Sequence, residues 1–271
     1  AVDSIATYAF ENCRSLKAIT LPANLRKLEH DVFNGTAISS LDIPNQVTDV
    51  TGVFNGLNGK LTSVTIGNGV KALPEAAFNS FSVLKSVKMG TGITKVPQNT
   101  FNYCQALTDI TIGANVTALD AYSFGHCTAL KQLSIPEKVS EIHENAFYGT
   151  TLTNLALNME EIKDYAFNNR SDITQITIGK NVKRIGIQAF GSTNISTVAL
   201  PEGLTTIADR AFYGTKLQSI SIPASVETVG MQAFHSCNEL ARVEIGAGSV
   251  SIGKQAFAAS PKLTTVVMKE G

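Results

Sequence analysis

The chain has 271 residues, 44% of them hydrophobic, which is enough apolar material for a substantial core. Lys plus Arg and Asp plus Glu both number 22, so the formal net charge is zero and no overall field favours nucleic acid or an anionic membrane surface. No apolar run approaches the ~20 residues of a membrane-spanning helix, and the sequence starts at Ala1 without the charged, apolar and small-residue order of a signal peptide.

Internal self-similarity is the dominant feature. Phe recurs at 10, 33, 54, 78, 101, 124, 147, 167, 190, 212, 234 and 257, at spacings of 20 to 24 residues. Ala or a small or branched residue precedes each Phe. Some six residues later comes an apolar triplet of the form Leu-x-x-Ile-x-Ile, as in Leu107, Ile110 and Ile112. Its last two apolar residues alternate with polar ones at period two, the mark of a strand with one buried face. Pro or Gly follows in most repeats (Pro22, Gly67, Pro136, Pro223) and ends the strand. A second short apolar pair, such as Val116 with Leu119, leads into the next Ala-Phe segment. Just before Phe, Pro74 to Ala77 and Glu144 to Ala146 suit a single helical turn. One such coil cannot bury its own apolar face, so stacked coils must share a continuous core.

The pattern Ile-Gly-x-x-Ala-Phe-x-x-Cys-x-x-Leu-x-x-Ile-x-Ile-Pro resembles the BspA-like leucine-rich repeat of bacterial surface proteins. Val229 to Cys237, then Leu240, Val243 and Ile245, match it almost position for position. The resemblance implies an α/β repeat solenoid, a right-handed curved superhelix of about twelve coils of ~23 residues with its parallel sheet on the concave face, mostly β with short helical turns. It also implies export to the cell surface and an adhesive or host-interacting role, and it brings no catalytic residues. Residues 1–271 read as a single leucine-rich-repeat domain, part of a longer protein.

The candidate chemistry is sparse. Cys13, Cys104, Cys127 and Cys237 each lie three residues after a repeat Phe, where the apolar surroundings place them in the coil interior as buried free thiols. His126 beside Cys127 lacks paired Cys-x-x-Cys spacing, so no metal site is expected. Glu160 and Glu161, on the shortest repeat, read as a solvated turn rather than a paired acid site. No catalytic trio converges and no cofactor is expected.

Candidate binding residues lie on the polar side of the strands. One column holds Thr65, Lys88 and Thr111; another holds Asp109, Gln132, Asn154 and Gln175. Residues 60 to 95 carry Lys60, Lys71, Lys85, Lys88 and Lys95 against Glu75, and residues 137 to 164 are acidic in turn. Such patches can steer a protein ligand with salt-sensitive binding. The six Tyr lie near the repeat Phe and not on the strands, so the sheet offers no stacking platform for sugars or bases. The repeat breaks around Phe54, where Gly52, Gly56, Asn58, Gly59 and Lys60 mark an irregular segment suited to a specialised contact. The expected function is a non-catalytic cell-surface or secreted adhesion module that binds a host or matrix protein. The alternatives are an architectural spacer and, with least support, a sugar-binding or carbohydrate-active module. End-to-end self-association through uncapped termini is a further expectation.

Overall fold

The Leu-x-x-Ile-x-Ile segments form short parallel strands stacked in register. The computed structural model describes residues 2–143 and 145–270. The chain is a parallel β-solenoid of about eleven coils with the leucine-rich-repeat fold. Two compact units are formed, one from residues 1–131 and 141–151, the other from residues 132–140 and 152–271.

In the first unit, Ser40–Asp42, Ser63–Thr65, Ser86–Lys88 and Asp109–Thr111 make a four-stranded sheet. A second strand column is formed by Lys95–Val96, Ala118–Leu119 and Glu141–Ile142. In the second unit, Gln132–Ile135, Asn154–Leu157 and Gln175–Ile178 form one sheet, and Ser219–Ile222, Arg242–Ile245 and Thr265–Met268 another. Its second column has five two-residue strands, from Glu161–Ile162 to Ser251–Ile252. The four-residue strands of the first two coils of each sheet alternate polar-out and apolar-in, because a pleated strand turns successive side chains to opposite faces.

The repeat Phe residues fill the core. In the second unit Phe167, Phe190, Phe212, Phe234 and Phe257 stack face to face with centroids 5.3–5.5 Å apart. Phe78, Phe101, Phe124 and Phe147 do the same in the first, at 5.4–5.6 Å. Offset stacking adds a favourable quadrupolar contribution to their burial.

The helical turns expected before Phe are absent among the described residues; Glu144 lies outside them. The backbone there does something else. Among the described residues, nineteen non-glycine residues and six glycines have positive φ, and all but Gly59 lie two residues before or two residues after a repeat Phe. Around Phe167, for example, these are Tyr165 (φ 59°) and Asn169 (φ 58°). The alternation turns every second peptide along the stack. Tyr165, Phe167 and Asn169 each donate their N–H to a carbonyl of the next coil, Ile187, Ala189 and Gly191, all at 2.8 Å. The intervening N–H groups close tight turns within the coil, as Asn168 does onto Tyr165. A helix would spend the same donors inside the coil and leave nothing to join neighbours. A left-handed residue costs about 1 kcal/mol, and the ladder that it makes possible offsets this by satisfying buried backbone groups.

Candidate functional site

The strand registers decide which of the expected binding residues share a face. In the first unit Asp42, Thr65, Lys88 and Thr111 are successive register partners, and so are Ser40, Ser63, Ser86 and Asp109. Lys88, Asp109 and Thr111 are exposed and Thr65 is half-buried. The columns are knit by local bonds such as Ser63 Oγ to Ser40 Oγ at 2.9 Å. Lys85 lies one residue before its strand; its backbone carbonyl accepts from Thr108 and Asp109, and its exposed side chain is left outside the ladder. Lys60 is exposed after the Gly59 turn. Gln132, Asn154 and Gln175 are register partners in the second unit, where Thr197 continues the column by a single bridge. The nine residues therefore make two separate sets, one on each unit.

Charge on the two sets differs in how it is neutralised. Lys95 is paired with Asp120 at 2.7 Å, and that carboxylate pulls the Lys95 ammonium above its ordinary range. Lys60, Lys71, Lys85 and Lys88 have no carboxylate within ion-pair distance among the described residues. The acidic stretch is partly compensated. Glu161 is not in a turn, as its sequence suggested, but in the strand Glu161–Ile162, beside Arg184–Ile185. It contacts Lys163 and Arg184, the latter at 2.7 Å, and these cations, Lys163 foremost, hold its carboxyl below the usual range. Arg184 also contacts Asp164 at 3.2 Å. An open groove of about 580 Å³ lies over this network, lined by Glu137, Ser140, Met159, Glu160 and Lys183 among others. Of its lining charges, Glu161, Lys163 and Arg184 are paired with one another.

The thiols divide three to one. Cys104, Cys127 and Cys237 are fully buried, and their Sγ atoms donate to carbonyls of the preceding coil, Phe78, Phe101 and Phe212, at 3.1–3.2 Å. Burial pushes the Cys104 thiol up to about 12 and the other two upward as well. Where Thr replaces Cys, the hydroxyls of Thr36, Thr150 and Thr193 bond the Phe carbonyl of their own coil at 2.8 Å, and Thr215 meets Cys237 of the next coil at 3.2 Å. Cys13 departs from the expectation and is exposed, because among the described residues no coil packs on its outer side. His126 points away from Cys127 and stacks on Tyr103, with centroids 4.3 Å apart, and no group of three or more His, Cys, Asp or Glu side chains among the described residues is arranged to hold a metal ion.

The irregular coil around Phe54 keeps both left-handed positions by using Gly52 and Gly56, but it interrupts the stack. The Phe54 ring lies tilted 42° to Phe78, where neighbouring rings are nearly parallel. The Asp31 N–H reaches Gly52, and Asn55 Nδ2 donates to Asp31 Oδ1 at 2.8 Å.

A cluster that sequence reasoning missed lies outside the strands. Tyr103, Tyr122, His126 and Tyr148 meet edge and face within the first unit. The signal was available: they fall one or two residues from successive Phe residues, which places them in adjoining columns.

Among solved structures, the chain is similar to a leucine-rich repeat protein from Bacteroides ovatus, with 21% identity over 98% of this chain and 76% of that one and a TM-score of 0.54. It is also similar to a leucine-rich repeat protein from Eubacterium ventriosum (19% identity, 85% and 80% covered, TM-score 0.43) and to a leucine-rich cell surface protein from Faecalibacterium prausnitzii (23% identity, 100% and 77% covered, TM-score 0.42). No curated protein matches it significantly. The BspA-type leucine-rich repeat region matches in six copies over residues 1–56, 50–171 and 160–271. With that match covering the chain from end to end and the parallel coils seen in the structure, the protein belongs to the BspA-type leucine-rich repeat family.

Proposed function

We propose that the chain is a non-catalytic interaction module, displayed at a cell surface or secreted, that binds a host or matrix protein through the strand face of its first unit. The observation that carries this reading is the column of half-buried Thr65 and exposed Lys88 and Thr111, with exposed Asp109, Lys85 and Lys60 on the same unit and with Lys60, Lys85 and Lys88 lacking acidic partners among the described residues. Uncompensated lysines on a rigid sheet attract an acidic protein surface over a Debye length and set a salt-sensitive association rate. Membership of a repeat family built for protein contact supports the same reading, and no helix among the described residues is long and apolar enough to cross a membrane. The Gln132, Asn154 and Gln175 column supplies a second, uncharged polar strip on the other unit.

The test is binding of the chain to immobilised extracellular-matrix and host-surface proteins at low and high salt, with a Lys85→Glu, Lys88→Glu double variant. Saturable binding that weakens with salt and is lost in the variant supports the reading. Binding that ignores both salt and the variant removes the strand face from consideration, and no binding at all leaves an architectural spacer as the better account.

A further inference from the structure

The aromatic cluster of the first unit combines three properties that the strand face lacks. Its rings are exposed: Tyr103 by 45% and Tyr148 by 51%. They pack on one another: Tyr103 lies 10° from parallel with His126 at 4.3 Å, and His126 meets Tyr148 edge-on at 5.3 Å. One face of the Tyr103 phenol is covered by His126. The other is turned away from it, and the next residue in that column is Ser80, too small to cover a ring.

The segments that follow the repeat Phe residues here are uncharged. In the six successive coils from Phe33 to Phe147, the stretch from Phe to four residues beyond it contains no Asp, Glu, Lys or Arg; it holds Asn, Ser, Gly, Thr and Gln. Taken one residue further, the matching stretches carry charge in five of the other six coils, for instance Glu11, Arg170 and Lys262. Lys131 reaches the border of the band, where Nζ donates to Thr151 Oγ1 at 2.6 Å. Gln105, whose backbone N–H bonds the Tyr103 carbonyl, and Asn79, beside Ser80 in the preceding coil, are exposed, and neither the Asn79 Nδ2 nor the Gln105 side-chain amide has a protein partner among the described residues. The comparable pair in the second unit, Tyr213 with His235 at 5.4 Å, is less exposed and lies near Lys216 and Glu239.

We propose that the Tyr103, His126 and Tyr148 patch binds a neutral saccharide chain, with the free face of Tyr103 as the stacking platform and the Asn79 and Gln105 amides as hydrogen-bond partners for hydroxyl groups. A sugar ring presents an apolar C–H face and a rim of hydroxyls, which an amphipathic aromatic surface beside unpaired amides complements. A polyanion is disfavoured because the band has no cation to neutralise it. An average protein surface is disfavoured because about a quarter of its residues are charged and would be desolvated here without partners. This site is separate from the strand face and goes beyond the protein-binding reading.

The test is affinity electrophoresis of the whole chain through gels containing neutral polysaccharides (β-glucan, mannan, galactan and starch), with polygalacturonate as the acidic counterpart. The key variant is Tyr103→Asn, since Asn occupies the same position with positive φ at Asn12 and Asn169 and so suits the backbone; an unchanged melting temperature checks its fold. At least one neutral polysaccharide should retard the wild-type chain equally at low and high salt. Tyr103→Asn should weaken that retardation about tenfold, and the Lys85→Glu, Lys88→Glu variant should leave it unchanged. The proposal is overturned if no neutral polysaccharide retards the chain, if polygalacturonate alone does, or if Tyr103→Asn is retarded as strongly as wild type. It is also overturned if Tyr103→Asn abolishes binding to a protein ligand while polysaccharides have no effect, since the patch would then be a protein-docking surface.

Discussion

Phe212 lies flat on Phe234, with ring centroids 5.3 Å apart and planes within 5°. Phe190 covers its other face at the same distance, so the ring has no free surface. Phe212→Ala should destabilise the chain by about 3–5 kcal/mol, the range for a buried ring whose cavity cannot collapse. Phe54, tilted out of its stack, should lose less on the same change. Denaturant titration of both variants measures the difference; equal losses would show that stacking contributes little beyond burial.

The left-handed positions make opposite predictions for opposite substitutions. Gly214 has φ 67°, and a methyl group there would make only an ordinary contact with Ser192 Oγ at 3.6 Å, so Gly214→Ala should cost about 1 kcal/mol through the backbone alone. At Gly35 (φ 75°) the added carbon would also meet Asn12 Oδ1 at 2.6 Å, so the loss there should be larger. Ala76→Gly, at φ 55°, should stabilise by about 0.5–1 kcal/mol despite the added freedom of the unfolded chain. A destabilising Ala76→Gly in the same denaturant titration would contradict the account of the turns.

Acid should unpick the first coil. Hydrogen bonds from Lys27 and Thr7 hold the Glu29 carboxyl at about 2, against an ordinary 4.5. A carboxyl depressed in the folded state contributes stability above its unfolded value, and that stability is lost as pH falls from 4.5 through about 2. Wild type should therefore exceed Glu29→Gln in denaturation midpoint at neutral pH, and the two should converge near pH 2. A gap that stays constant with pH would mean that Glu29 acts through packing and not through its charge.

Alkylation separates the cysteines. The buried Cys104, Cys127 and Cys237 thiols remain protonated at pH 8 and are covered by the coil, whereas Cys13 is exposed. Native protein treated with iodoacetamide should gain one label, mapped to Cys13 by mass spectrometry, and denatured protein should gain four. Labelling of Cys127 in native protein would show that its coil opens readily.

The strand columns are legible in the sequence because period-two alternation and a repeat of fixed length determine which residues face which neighbour: Thr65, Lys88 and Thr111 align in the structure as their repeat positions require. The turns are not legible in the same way. Pro74 to Ala77 has the composition of a helical turn, and nothing local distinguishes that from alternating left-handed residues; the decision rests on N–H groups that find carbonyls in the next coil. Local propensity is a weak prior when tertiary hydrogen bonding competes with it.

Sequence alone determined the family, the Phe core and the faces of the strands, because each follows from a residue's place in its own repeat. Tertiary structure decided what depends on neighbouring coils: that Cys13 is exposed while its three counterparts are buried, that Glu161 sits in a strand paired with Arg184, and that Tyr103 and His126 stack beside Tyr148. The physical reason is the same throughout: a single coil cannot bury a face or fix a side chain until another coil is laid against it.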